Sequence, residues 1–426
     1  MTDTWRGGAG QGVAYGALGL PLAFVALPLY VILPNHYATA FGIPLATLGA
    51  LLLGARLLDA VADPWIGRWV DAWFSRSRRL VLASAAAAGV VVIIGFRGLF
   101  FPAVVGTGAL LVWCAALLAV TYLSYSVLSV LHQAWGARLG GDEAQRARIV
   151  SWREGLALAG VLVASVLPSV AGLSVSTVVF AVALVIGLLL LARAPQPRIG
   201  LAPGAAPASM REPLRTPAFR RLLAIYLVNG VASAVPATLV LFFIRDRLQA
   251  PSYEPLFLAS YFAAGALSMP VWLRIVARFG LARAWLGGML LAIVTFAWAA
   301  ALGANDIAGF TAVCIASGIA LGADLAIPGA MLAGVIQKAG HGQRLEGAYF
   351  GWWNFATKLN LALAAGISLP LLGVFGYAPG ARDAAALDAL TVAYCLLPCL
   401  LKAAAAVLLY TRWVRPEAEP ESKESP

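Results

Sequence analysis

A chain of 426 residues in which 61% are hydrophobic and only 12% charged cannot cover a water-soluble globule of its size with polar groups, so much of its outer face must meet lipid. Thirty Lys and Arg against nineteen Asp and Glu give a formal charge of +11. On a membrane chain that excess records basic loops held on the cytoplasmic side, which excludes a nucleic-acid reading. Cys114, Cys314, Cys395 and Cys399 all fall in apolar segments without CxxC spacing, and they read as reduced core residues rather than disulfides or metal ligands.

A hydrocarbon core about 30 Å thick needs about 20 apolar residues in helical form. The first such segment spans 12–33, follows the single early Arg6 and lacks a small-residue cleavage site, so it is expected to remain as an uncleaved helix. The second, 44–70, carries the densest charge, in "ARLLDAVADPWIGRWVD". At about 100° per residue, Asp59 and Asp63 project about 40° apart and Arg56 lies within about 60° of both, so the three share one face. Two carboxylates one turn apart can offer oxygens to a hard cation or take up a proton between them. A structural Arg–Asp–Asp network is the alternative. Pro64 removes a backbone donor directly after Asp63 and can free a carbonyl there.

Segments at 80–96 and 103–131 follow, the latter running into His132 and Gln133. With Arg153 and Glu154 at the start of the fifth segment, 149–170, these make the other polar cluster of the first half. His132 is a candidate proton relay or a structural histidine. Arg153 is a candidate substrate contact. After the sixth segment, 174–192, the Pro-, Ala- and Arg-rich stretch 194–217 reads as a cytoplasmic linker that halves the chain, between six-helix bundles at 1–193 and 218–412. An internal echo, "DPWIGRWVDAWFSRSRRLVL" against "MPVWLRIVARFGLARAWLGG", fits two structural repeats.

The second half continues with segments at 219–243, 255–277, 284–302, 307–335, 347–375 and 387–410. Asp324 is a lone acid between Gly322 and Pro328, either a cavity residue or the partner of a nearby base. Lys358, about 18 Å along the eleventh helix from Glu346, cannot snorkel to a surface and needs an anion; the Asp59/Asp63 pair is the natural candidate. Trp352, Trp353 and Asn354 lie one turn before it, where they can line a pocket or pack. Lys402, nearer a cytoplasmic helix end, is expected to snorkel. The tail 413–426 is polar, Pro- and Glu-rich, and expected to be disordered. Basic residues concentrate in the tails and in the even-to-odd connections, which places both termini in the cytoplasm. No Walker A, nucleophile elbow, GxGxxG or zinc spacing occurs, so no enzyme activity, metal or cofactor is expected and an ion gradient must supply any work.

These residues resemble the glycoside–pentoside–hexuronide:cation symporter family of the major facilitator superfamily, which contains the melibiose permeases and, more distantly, lysolipid transporters. The match rests on "ARLLDAVADPWIGRWVDAWFSRSRR" and on "IPGAMLAGVIQKAGHGQRLEGAYFGWWNFATKLNLALA". The resemblance implies an all-α membrane protein with the twelve-helix major facilitator fold. It implies Asp59 and Asp63 as cation-binding carboxylates, Arg56 as their basic neighbour, Arg153 as a sugar-proximal arginine and Lys358 as the coupling lysine. The acids that hold sugar hydroxyls in helices 1 and 4 of related carriers fall at Pro21 and Ser126 here, and two acids at the end of helix 10 at Gly334 and Gln337. Ser126, His132, Arg153, Asp324, Trp353 and Asn354 are the candidate substrate residues.

The function expected is a cation-coupled symporter of a small sugar- or glycoside-like solute, monomeric, lipid-embedded in the cell inner membrane. A carrier of an amphipathic or lysolipid-like solute is the alternative, and a membrane scaffold or sensor a reading from another class. The coupling ion is expected to be the proton: Ala62 replaces an Asn common in sodium-using members, and the helix 4 hydroxyl position falls at Leu123.

Overall fold

In the computed structural model residues 5, 7–198, 209–378 and 380–415 are described. Residues 199–208 of the expected linker and 416–426 of the expected tail lie outside them. Among the described residues every regular element is helical.

Among the described residues ten helices are long and apolar enough to cross a membrane, and two features raise the spans to twelve. The 51-residue helix Glu143–Arg193 is two spans joined at Gly172, whose φ of 80° and ψ of 169° interrupt the helix in a region that side chains with a Cβ avoid. Leu45–Arg76, 32 residues long, has the length to cross, but its charges dilute its apolar character. The helices are α1 (9–41), α2 (Leu45–Arg76), α3 (Arg78–Phe100), α4 (Thr107–Arg138), α5 (143–171), α6 (173–193), α7 (Pro217–Arg247), α8 (Glu254–Phe279), α9 (Leu281–Ala299), α10 (Ile307–Lys338), α11 (Glu346–Val374) and α12 (Ala384–Val414).

Caps and prolines explain several boundaries. Ser77 is extended between α2 and α3, and its hydroxyl accepts from the Leu80 amide; Asp142 caps α5 by accepting from the Gln145 amide. α1 runs past its expected end at 33 to Phe41 through a wide turn at Pro28–Ile32, because prolines without an N–H loosen the ladder rather than end the helix.

The chain divides into two compact units. The first holds α1 to α6 and also residues 333–355, the end of α10 and the start of α11; the second holds the rest of α7 to α12. Phe180 is central to the first, its ring 4.7 Å from Phe96 and 5.8 Å from Phe24. In the second, Tyr394 stacks on Phe243 at 4.3 Å, and Phe310 meets Phe257 edge-on. Exposed Val90, Ile94, Val178, Val182, Leu189 and Leu267 present outward apolar rows of the kind lipid covers.

Candidate functional site

The expected face of α2 forms within the first unit. Asp59 and Asp63 are 3% and 0% exposed, one helical turn apart. The Ser126 hydroxyl on α4 donates to Asp59 Oδ1 at 2.6 Å, so the residue standing in place of a sugar-binding acid instead engages an α2 carboxylate. On α4 the hydroxyl that reaches an α2 carboxylate comes from Ser126, three residues on from Leu123. Arg56 lays its guanidinium over the Tyr30 ring, 4.0 Å from the centroid, and Tyr122 flanks Tyr30 at 6.0 Å. Tyr30 and Tyr122 escaped the sequence reading, because a tyrosine in an apolar span looks like packing.

The second polar cluster divides. His132 Nε2 lies 2.7 Å from the Tyr15 carbonyl while the Tyr15 hydroxyl donates to the His132 carbonyl at 3.1 Å. This reciprocal staple, buried between α1 and α4, fits a structural histidine. Arg153 pairs with Glu154 at 2.6 Å and keeps a little of its side chain accessible.

Residues 333–355 are clasped onto the first unit by a buried ion network. Arg138 of α4 reaches Asp71 of α2 and Glu346 of α11, each at 2.9 Å, and donates to the Gln343 carbonyl. Asp71 accepts from the Gly347 and Ala348 amides at 2.7 and 2.8 Å, a carboxylate at a helix N-terminus where free N–H groups and the helix dipole favour it. Gly67 and Gly347 permit this approach, since a Cβ on either would collide with the other's carbonyl oxygen. Gln337, at a position of departure from the family pattern, accepts from Arg146 at 3.0 Å. Trp353 and Asn354 are buried in this segment, and the Asn354 amide donates to Ser129 at 3.4 Å. Lys358 lies beyond it, half-buried, in the part of α11 that belongs to the second unit, whereas Asp59 and Asp63 belong to the first.

In the second unit Lys402 does not snorkel. It is 4% exposed, and its ammonium donates to Asn229 Oδ1 at 2.8 Å, Ser233 Oγ at 3.0 Å and Asp324 Oδ2 at 2.8 Å. Asp324 also accepts from Asn229 at 3.1 Å and from the Trp285 indole at 2.9 Å. The partnered alternative for Asp324 therefore forms, because burying the lysine with an anion and two polar neighbours costs less than stretching it through apolar surroundings. The pair borders a cavity of about 160 Å³ whose lining includes Tyr261, Phe296 and Tyr394.

Lys402→Met is expected to lower stability by about 3–5 kcal/mol by stranding Asp324, and the Lys402→Met/Asp324→Leu double variant to recover most of it. Thermal melting in detergent reads both. Equal losses in the single and double variants would contradict the pairing.

A family model described as MFS/sugar transport protein matches residues 12–412. The chain is 31% identical over 159 residues to the inner membrane symporter YicJ of Escherichia coli (strain K12), a match covering 37% of this chain and 33% of YicJ. It is 30% identical over 156 residues to YagG of the same strain, which carries the provisional name glycoside/cation symporter; the match covers 36% of this chain and 33% of YagG. Each match thus spans a third of the relative's length. Among solved structures, a bacterial homologue of the iron transporter ferroportin superposes with a TM-score of 0.72 at 17% identity, covering 95% of this chain and 99% of that one. The fucose:proton symporter FucP of E. coli superposes with a TM-score of 0.70 at 15% identity, covering 94% and 98%. At these identities both likenesses show the fold, the twelve-helix major facilitator fold.

Proposed function

The chain belongs to the MFS/sugar transport protein family, and on that premise we propose that it is a proton-coupled secondary transporter of a small sugar- or glycoside-like solute, working by alternating access. The observation that supports this best is the Asp59–Asp63 pair, buried in mid-helix with a Ser126 hydroxyl on Asp59. Ionisable groups at that depth cost at least about 2.5 kcal/mol each on insertion scales, and they persist where they bind or carry an ion. In this reading Asp59 and Asp63 take up the coupling ion, Arg56 sets the local charge, and Lys358 balances the carboxylates when the ion leaves. Arg153, with accessible surface beside Glu154, contacts solute. The family and the fold are those of membrane transporters rather than enzymes.

A proton is favoured over sodium because a hard metal cation asks for about six oxygens, whereas a proton needs one carboxylate. Ser126 adds one oxygen near Asp59, and Ala62 adds no side-chain oxygen. The chain is further proposed to sit as a monomer in the cell inner membrane with both termini cytoplasmic, on the distribution of its basic residues. A carrier of an amphipathic or lysolipid-like solute is a second reading, favoured by the aromatic cavity beside Asp324.

The test is uptake into proteoliposomes under a pH gradient without sodium, set against a sodium gradient at constant pH, across sugars, glycosides, organic acids and lysolipids. Glycoside uptake driven by the pH gradient is the expected result. Uptake that follows sodium alone overturns the proton, and uptake confined to lysolipids overturns the solute.

A further inference from the structure

We infer that the cavity of the second unit is a binding site for one uncharged aromatic ring or branched alkyl group, the apolar end of the carried solute. The assignment to the solute rests on the glycoside-carrier reading above; the site itself does not.

Packed helical bundles leave few voids larger than a water molecule, because an unfilled space forfeits dispersion contacts on every wall. This one holds about 160 Å³ and lies among α7, α8, α9, α10 and α12. An apolar cavity of about 150 Å³ is large enough to take up benzene. Its walls suit a ring: Phe257, Tyr261, Phe262, Phe296 and Tyr394 all line it.

The floor excludes a charge. Asp324 and Lys402 cancel one another there, and the three ammonium protons are spent on Asn229, Ser233 and Asp324. The Asp324 oxygens already accept from Asn229, Ser233, Trp285 and Lys402. An anion or cation entering the cavity would have to break this set before meeting a counter-charge, whereas a neutral group only covers aromatic surface. Polar groups at one end also distinguish the cavity from a slot for bilayer hydrocarbon. Ala237, an exposed small residue on its wall, offers a way to fill it without disturbing the floor.

The full chain in lipid nanodiscs is titrated with fluorobenzene and followed by fluorine NMR, alongside Ala237→Phe and the space-preserving Ala237→Ser. Broadening is expected in wild type and A237S and lost in A237F, with helical content by circular dichroism alike in all three. No broadening, as when bilayer chains fill the cavity, or broadening unchanged in A237F, overturns the site. Phenyl glucoside is expected to displace fluorobenzene at about tenfold or more lower concentration than methyl glucoside, from the burial of its ring. Equal displacement by the two overturns the assignment to the solute. Failure of the glycoside-carrier reading shows separately, as the absence of gradient-driven glycoside uptake by a protein that still binds fluorobenzene.

Discussion

Asp63→Asn is expected to reduce gradient-driven accumulation to background while equal-concentration exchange of solute across the membrane continues. Asp63 is 0% exposed on α2, one turn from Asp59. Asn keeps the shape and the hydrogen-bonding capacity but can neither take up a proton nor carry a negative charge. If the two carboxylates carry the coupling ion, the substitution separates solute binding from the ion gradient without breaking the fold. Lys358→Ala is expected to act in the same direction, since the proposed counter-charge is lost while half-buried apolar stem is merely trimmed. The measurement is paired: accumulation under an imposed gradient, and counterflow at zero gradient, in proteoliposomes of matched protein content. Normal accumulation by both variants would reduce the α2 acids to packing residues, leaving the MFS/sugar transport membership without a coupling centre in this face.

Arg138→Ala is expected to cost about 3–5 kcal/mol of stability. The guanidinium is 1% exposed and bridges two carboxylates, Asp71 and Glu346, which are 2% and 3% exposed. Removing it leaves two buried acids facing each other. Arg138→Lys is expected to recover only part of the loss, because a point charge cannot reproduce a planar fork that also reaches the Gln343 carbonyl. Arg138→Met combined with Asp71→Leu and Glu346→Leu removes every charge together and is expected to melt close to wild type. Thermal and denaturant unfolding in one detergent, read by helical circular dichroism, gives the comparison. If the Ala variant melts like wild type, the network contributes nothing and residues 333–355 are held by packing around Gly67 and Gly347 alone.

The amino-acid order by itself determined the apolar spans and the shared face of Asp59 and Asp63. Those follow from local rules: a run of apolar residues must be helical to satisfy its backbone in lipid, and a spacing of four returns a side chain to the same face. α2 was legible despite its charges because Arg56, Asp59 and Asp63 recur on one side of an otherwise largely apolar segment. The break at Gly172 fell between the spans expected at 149–170 and 174–192 because two hydrophobic lengths cannot fit one bilayer crossing.

What lies opposite a face is a different matter, since no local rule reaches across the chain. Ser126 meets Asp59 from 67 residues away, Asn229 meets Lys402 from 173, and Gly347 meets Asp71 from 276. Lys402 shows the limit most clearly. Near a helix end its long stem makes snorkelling the local expectation, yet tertiary packing brings Asn229, Ser233 and Asp324 around it and closes off the surface. Arg138, Asp71 and Glu346 sit at helix ends, where charges are ordinary, so only the packing of α2, α4 and the start of α11 could turn three unremarkable residues into a buried network. Composition and periodicity determined the helices and the shared face of Asp59 and Asp63; the tertiary structure decided which charges are buried and which of them meet, because desolvated charges are stable only where distant segments bring their partners within hydrogen-bonding distance.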